Sequence, residues 1–141
     1  MNFRDAIDRM PQKGKMLLIQ DVLRVDENAI ACRASDHRGS DYPLRLNGRL
    51  FSASLVELGA QAAAAHASLF GVGGHHAGLL LSLRDVTISE DDVDRLDGAL
   101  DANAERIHFD EGGARYRFDV SSGSHEILRG EALLMMQAVN P

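Results

Sequence analysis

The twenty residues FSASLVELGAQAAAAHASLF, positions 51–70, constrain this chain more than any other feature. They contain no proline and run into Gly71, Gly73 and Gly74, so they predict one long helix, with Ser52 or Ser54 as its cap. Seven alanines make the helix slim, and its apolar residues surround the whole circumference instead of forming one stripe. Such a helix suits a buried position against a closely approaching sheet. Its polar members then need a reason to be there, and Glu57 and Gln61 stand one turn apart on one face.

The rest of the chain supplies strands. Residues 3–9 suit a short helix ended by Pro11 and Gly14. Residues 16–25 (MLLIQDVLRV) and 29–35 read as strands around an Asp26-Glu27-Asn28 turn. Residues 36–50, with Gly39, Pro43 and Gly48, read as an irregular loop. After the long helix come strand patterns at about 78–89, 97–109, 113–121 and 125–138, with Gly112-Gly113 and residues 121–124 as hairpin turns. No repeat or linker interrupts residues 1–141, so one domain is expected. A single apolar helix among about five to six strands has one natural solution, an antiparallel sheet wrapped around it. That α+β arrangement is the hotdog fold. A sheet of this size leaves an open edge, so pairing of two protomers is expected.

Composition narrows the function. A net charge of −6 argues against nucleic acid as a partner. The apolar stretches are broken by Glu57, Gln61, His66 or Arg84, so no membrane span is expected. No signal peptide is visible, and the lone Cys32 fits a reducing compartment, so a cytoplasmic location is the default. Arg38, Arg45 and Arg49 crowd one loop, either as a solvated surface or as a basic mouth for a phosphate or an acidic carrier protein.

Glu57 is the first candidate for chemistry, as an acid/base or substrate-orienting carboxylate; the alternative is an outward-facing or structurally paired side chain. His37, just upstream of the helix, is the second, as a base near neutral pH or simply a surface histidine. His66 fits a core residue, His75 and His76 fit a loop, and His108 and His125 fit exposed strand positions. No spacing suits a metal, and no motif suits a nucleotide or other cofactor, because the glycines at 71–74 follow a helix instead of opening one. Cys32 sits in a strand pattern as a small core residue, and no nucleophile elbow is present.

Several of these segments together resemble a known family. The opening MPQKGKMLLIQDVLRVD, the helix LVELGAQAAAAHASL with its E-x-x-A-Q pattern, the strand GLLLSLRDVTIS and the closing SGSHEILRGEALLMM are similar to the beta-hydroxyacyl-ACP dehydratases of the FabA/FabZ type. The loop YPLRLNGRL, residues 42–50, is closer still to divergent dehydratase-like proteins of aryl-polyene and related fatty-acid-like gene clusters. The resemblance implies elimination of water from a 3-hydroxyacyl thioester carried by acyl carrier protein or coenzyme A, in a homodimer or a heterodimer with a related hotdog subunit. It places Glu57 at the family's catalytic acidic position and Gln61 at the glutamine that follows. Ser52 takes the place of the glycine whose backbone N–H helps bind the thioester carbonyl. The family's histidine position falls on Pro43, with His37 six residues earlier. His37 and Glu57 are thus the expected catalytic pair, and Arg45 and Arg49, with Gln61 and Ser52, the expected substrate contacts. A non-catalytic subunit and a thioesterase are the competing readings.

Overall fold

A computed structural model describes residues 16–70 and 76–138 of the chain. The six strands are β1 (Asp21–Val25), β2 (Ala29–Ala34), β3 (His76–Ile88), β4 (Leu100–Asp110), β5 (Gly113–Ser122) and β6 (His125–Ala138). They form one antiparallel sheet in the order β1-β2-β4-β5-β6-β3. The helix α1 (Val56–Leu69) is entered through a single 3-10 turn, Ser52–Leu55, and lies across β2 to β6.

Burial follows the sequence logic. Every residue of α1 from Leu58 to Ser68 is buried, which is possible because six of them are alanine. The inward faces of β4 and β5 alternate with their outward faces: Leu100, Ala102, Ala104, Tyr116, Phe118 and Val120 point to the helix, whereas Asp101, Glu105, Arg115 and Arg117 point away. Phe118 sets the spacing between layers. A Cβ built on Gly59 of α1 would sit 2.3 Å from its ring, and one on Gly130 of β6 would sit 3.2 Å from it. The two glycines therefore hold the aromatic ring between helix and sheet.

Register shifts in β1, β3, β4 and at the β5–β6 pairing bend the sheet round the helix. In β3 the shift spans Asp85, whose φ is 52°. The β4–β5 turn is fastened by Asp110, whose Oδ1 accepts from the amides of Gly112 (2.7 Å) and Gly113 (3.1 Å).

The first strand is shorter than expected. Pairing begins at Gln20, whose amide reaches the Arg33 carbonyl, and residues 16–19 stay outside the ladder, where Gln61 of α1 takes the Leu18 amide and the Met16 carbonyl. The remaining strands lie where their alternation places them, to within three residues. The expected helix at 3–9 and the glycines 71–74 lie outside the described residues, as does His75. No helix among the described residues is long and apolar enough to cross a membrane.

Candidate active site

The first turn of α1 carries Glu57, half-buried, and one turn later Gln61, which is fully buried. A buried amide must find partners for all its groups, and Gln61 does so on three sides. Its Oε1 accepts from the Leu18 amide (2.8 Å), and its Nε2 donates to the Met16 carbonyl (2.6 Å) and to Oε1 of Glu57 (3.1 Å). Gln61 is thus fully engaged in tying the 16–18 segment to the helix and in fixing the Glu57 carboxylate.

Ser52 does not cap the helix. No side chain caps either the 3-10 turn or α1; the Ser52 hydroxyl is buried and donates to the Glu90 carbonyl, fixing the helix start to the segment after β3.

Arg45 departs most from expectation. Its side chain is only 9% exposed. All five N–H donors of the guanidinium are spent inside the chain. Nε donates to the Gly39 carbonyl (3.1 Å), Nη1 to the Gly48 carbonyl (3.0 Å) and Asp94 Oδ2 (3.1 Å), and Nη2 to the His37 carbonyl (2.8 Å) and Asp94 Oδ1 (2.8 Å). Nothing is left for a phosphate, so Arg45 is the internal tie of the 36–50 loop and not a substrate contact. The pairing holds the Asp94 carboxyl below its ordinary range, with the Leu50 amide adding to the effect.

Arg49 behaves differently. Residues 46–49 form a tight turn, with Leu46 and Arg49 exchanging backbone hydrogen bonds (2.8 and 3.0 Å) and positive φ at Asn47 (52°) and Gly48 (79°). The turn projects Leu46 into solvent, and the Arg49 guanidinium lies 4.8 Å above the exposed Phe51 ring.

His37 is not a surface histidine. It is 2% exposed, and neither ring nitrogen has a hydrogen-bond partner among the described residues, so it makes no bond to Glu57. Burial, then the nearby Arg38 and Arg45 cations, lower its pKa, so the ring is neutral at neutral pH. The Tyr42 hydroxyl, in the same loop, is likewise buried without a hydrogen-bond partner among the described residues. Tyr42 and Asp94 were not among the residues the sequence singled out; nothing in their local pattern marks an orphaned hydroxyl or a partner for Arg45.

The other candidates take structural places. His66 is buried, with Nδ1 2.5 Å from the Tyr116 hydroxyl and Nε2 2.8 Å from the Asp26 carbonyl. Burial pushes the Cys32 thiol up to about 12, which makes it inert. Among the described residues no group of three or more metal-ligating side chains comes together.

Comparison with known proteins places this arrangement. The family model described as ApeP dehydratase matches residues 5–139 of the chain. The chain belongs to the ApeP-like dehydratase family. As an ApeP-like protein it is a dehydratase-like hotdog domain, in agreement with the expectation from its helix and loop motifs. The dehydratase heterocomplex ApeI:P from Xenorhabdus doucetiae superposes with a TM-score of 0.76 at 20% identity, over 96% of this chain and 91% of that one. AziG of S. sahachiroi gives 0.68 at 18% identity, over 87% and 94%. A hypothetical thioesterase from Streptococcus pneumoniae, solved with coenzyme A, gives 0.65 at 11% identity, over 86% and 90%. At these identities the structures establish the hotdog fold. No curated protein matches the sequence.

Proposed function

We propose that this ApeP-like chain acts on 3-hydroxyacyl thioesters, with Glu57 as the proton donor to the departing hydroxyl, in a dimer with another hotdog subunit. The observation that carries this reading is the three-way engagement of Gln61, which leaves Glu57 held at the helix start and still half-open. A carboxylic acid so placed can protonate a leaving oxygen, while the helix N-terminus polarises the thioester carbonyl. The chemistry read this way needs no metal or cofactor. The base that removes the alpha proton is an imidazole. His37 is this chain's own candidate, held neutral as a base must be; a partner subunit is the other source.

Pairing is supported by the sheet edge. Among the described residues β3 pairs with β6 alone, and its Leu80, Leu81, Leu83, Val86 and Ile88 are all exposed in the single chain. An edge strand this long and apolar is a surface for another strand. The Xenorhabdus relative is described as a heterocomplex, which favours a related hotdog chain as the partner. The acyl donor is carrier protein or coenzyme A, and a cytoplasmic location fits such substrates.

A second reading, a non-catalytic subunit, is favoured by one observation: His37 is covered in the single chain, and its ring nitrogens have no hydrogen-bond partner among the described residues. Turnover of a 3-hydroxyacyl-ACP, by the protein alone and with a hotdog partner, separates the readings. Enoyl product that falls by roughly two orders of magnitude in Glu57→Gln supports the carboxylate role. Loss in His37→Ala assigns the base to this chain, and retention assigns it to the partner. Product unaffected by Glu57→Gln in the mixed dimer leaves the non-catalytic reading, and free acid in place of enoyl product marks a thioesterase.

A further inference from the structure

The buried side-chain polar atoms that lack any partner among the described residues are three, and all lie in one six-residue stretch: Nδ1 and Nε2 of His37 and the Tyr42 hydroxyl. An orphaned buried donor or acceptor is expensive, because it loses its bonds to water and gains none. The same stretch is cross-bonded within itself. Gly39 donates to Asp36, Tyr42 to Gly39 and Arg45 to Tyr42 through the backbone, and Arg45 ties the carbonyls of His37, Gly39 and Gly48 together. Two of its arginines reach one short segment of the fold. Arg45 and the Leu50 amide bind Asp94, and Arg38 binds the Leu96 carbonyl and approaches Asp97 at 4.0 Å. The stretch is therefore a preassembled unit, tied by Arg45 and Arg38 to residues 94–97, whose closed position leaves three polar atoms unsatisfied among the described residues.

We propose that residues 36–45 form a strap with a second, open position, that Arg45 and Asp94 are its latch, and that opening delivers the His37 imidazole and the Tyr42 hydroxyl to solvent or to a bound group. The Tyr42 ring and the latch favour the closed position, while the three orphaned atoms favour the open one. Arg45 travels with the strap because three of its five bonds are to the strap and the adjoining turn, so breaking the Asp94 pair removes its two bonds to the rest of the fold and keeps the strap's own bonds. This deepens the reading above, because an open strap is the way this chain's own imidazole becomes available as a base; the opening itself is measured without any turnover.

The test is modification of His37 by diethyl pyrocarbonate in the full chain, followed by mass spectrometry, with exposed His108 and His125 as internal references. In the wild type, His37 reacts at least roughly tenfold more slowly than the two references, because only the open position reacts. Asp94→Asn, or Arg45→Lys if the first variant melts without cooperativity, speeds His37 by roughly tenfold and leaves His108 unchanged. Tyr42→Phe slows His37 and raises Tm, because it removes a polar atom that only the closed position leaves unsatisfied. A wild-type His37 as reactive as His108, a rate indifferent to Asp94, or a Tyr42→Phe protein with a lower Tm overturns the strap. An inert enzyme with latch-dependent labelling keeps the strap and loses the dehydratase reading; an active one with fast, latch-independent labelling does the reverse.

Discussion

Replacing Gln61 with leucine tests whether one amide joins the N-terminal segment to the site. The substitution keeps the side-chain volume and removes three hydrogen bonds. The buried Leu18 amide loses its acceptor, which costs about 1–3 kcal/mol. Met16 is exposed, so water replaces the donor to its carbonyl at about 0.5–1 kcal/mol. The leucine offsets part of this by placing apolar atoms in a fully buried position. The net loss is about 2 kcal/mol, or about 6–8 °C in Tm for a domain of this length. Urea unfolding followed by circular dichroism reads it as a lower midpoint at unchanged slope. An unchanged midpoint would refute the reasoning, since the Leu18 amide would then have another partner. Gln61→Glu is a second check. It keeps an acceptor for Leu18 but sets a carboxylate one turn from Glu57, so its stability relative to wild type falls as pH rises through the carboxylate range.

Three further outcomes follow from particular contacts. Gly59→Ala gains about 1 kcal/mol of helix propensity but drives a methyl into the Phe118 ring, so a net loss of about 1–2 kcal/mol is expected by urea titration, recovered in part by Phe118→Leu. His37 and His66 both have pKa values lowered mainly by burial, below the ordinary 6.5, so the unfolded chain takes up protons that the fold refuses. Stability is therefore full above about pH 6.5 and declines as pH falls toward the two lowered values; a second decline, from Asp26, Asp94 and Asp110, comes only below their ordinary 3.8. Acid titration of Tm checks both stages, and a flat profile between pH 6.5 and 5 contradicts the histidine assignment. Arg49→Glu is expected to raise KM for a carrier-bound substrate by roughly tenfold with little change in Tm, whereas Arg45→Glu should unfold or strongly destabilise the chain; equal effects on KM would contradict the division between the two arginines.

The fold was legible because its strongest signals are local. An alanine-rich run without a polar face, four alternating stretches and turn residues between them leave little freedom in how the sheet wraps the helix. The misreadings arose where a side chain far along the chain took over backbone groups. Residues 16–19 are apolar and rich in strand formers, yet the amide of Leu18 and the carbonyl of Met16 bond to Gln61, more than forty positions away. Ser52 has the residue type of a cap, but its hydroxyl finds the Glu90 carbonyl, in a segment brought close only by the sheet. Propensity is blind to such partners.

The site shows the same limit more sharply in the two arginines of YPLRLNGRL. In sequence they are equivalent, four residues apart in a polar loop with nothing to rank them. What separates them is Asn47-Gly48, whose positive φ values reverse the chain between the two side chains. Arg45 then points into a pocket of carbonyls with Asp94 behind them, and Arg49 points out over Phe51. A guanidinium is costly to bury unless every donor is matched, and here its five donors are matched by five acceptor oxygens of His37, Gly39, Gly48 and Asp94. That arrangement fixes the loop before α1 and so fixes where His37 lies. The position of the candidate base is thus set by Arg45, a residue that has no donor left for substrate. Carboxylate and imidazole are controlled separately, Glu57 by Gln61 within the helix and His37 by Arg45 and Asp94 within the loop. A change at Asp94 should therefore move the behaviour of His37 and leave that of Glu57 where it was.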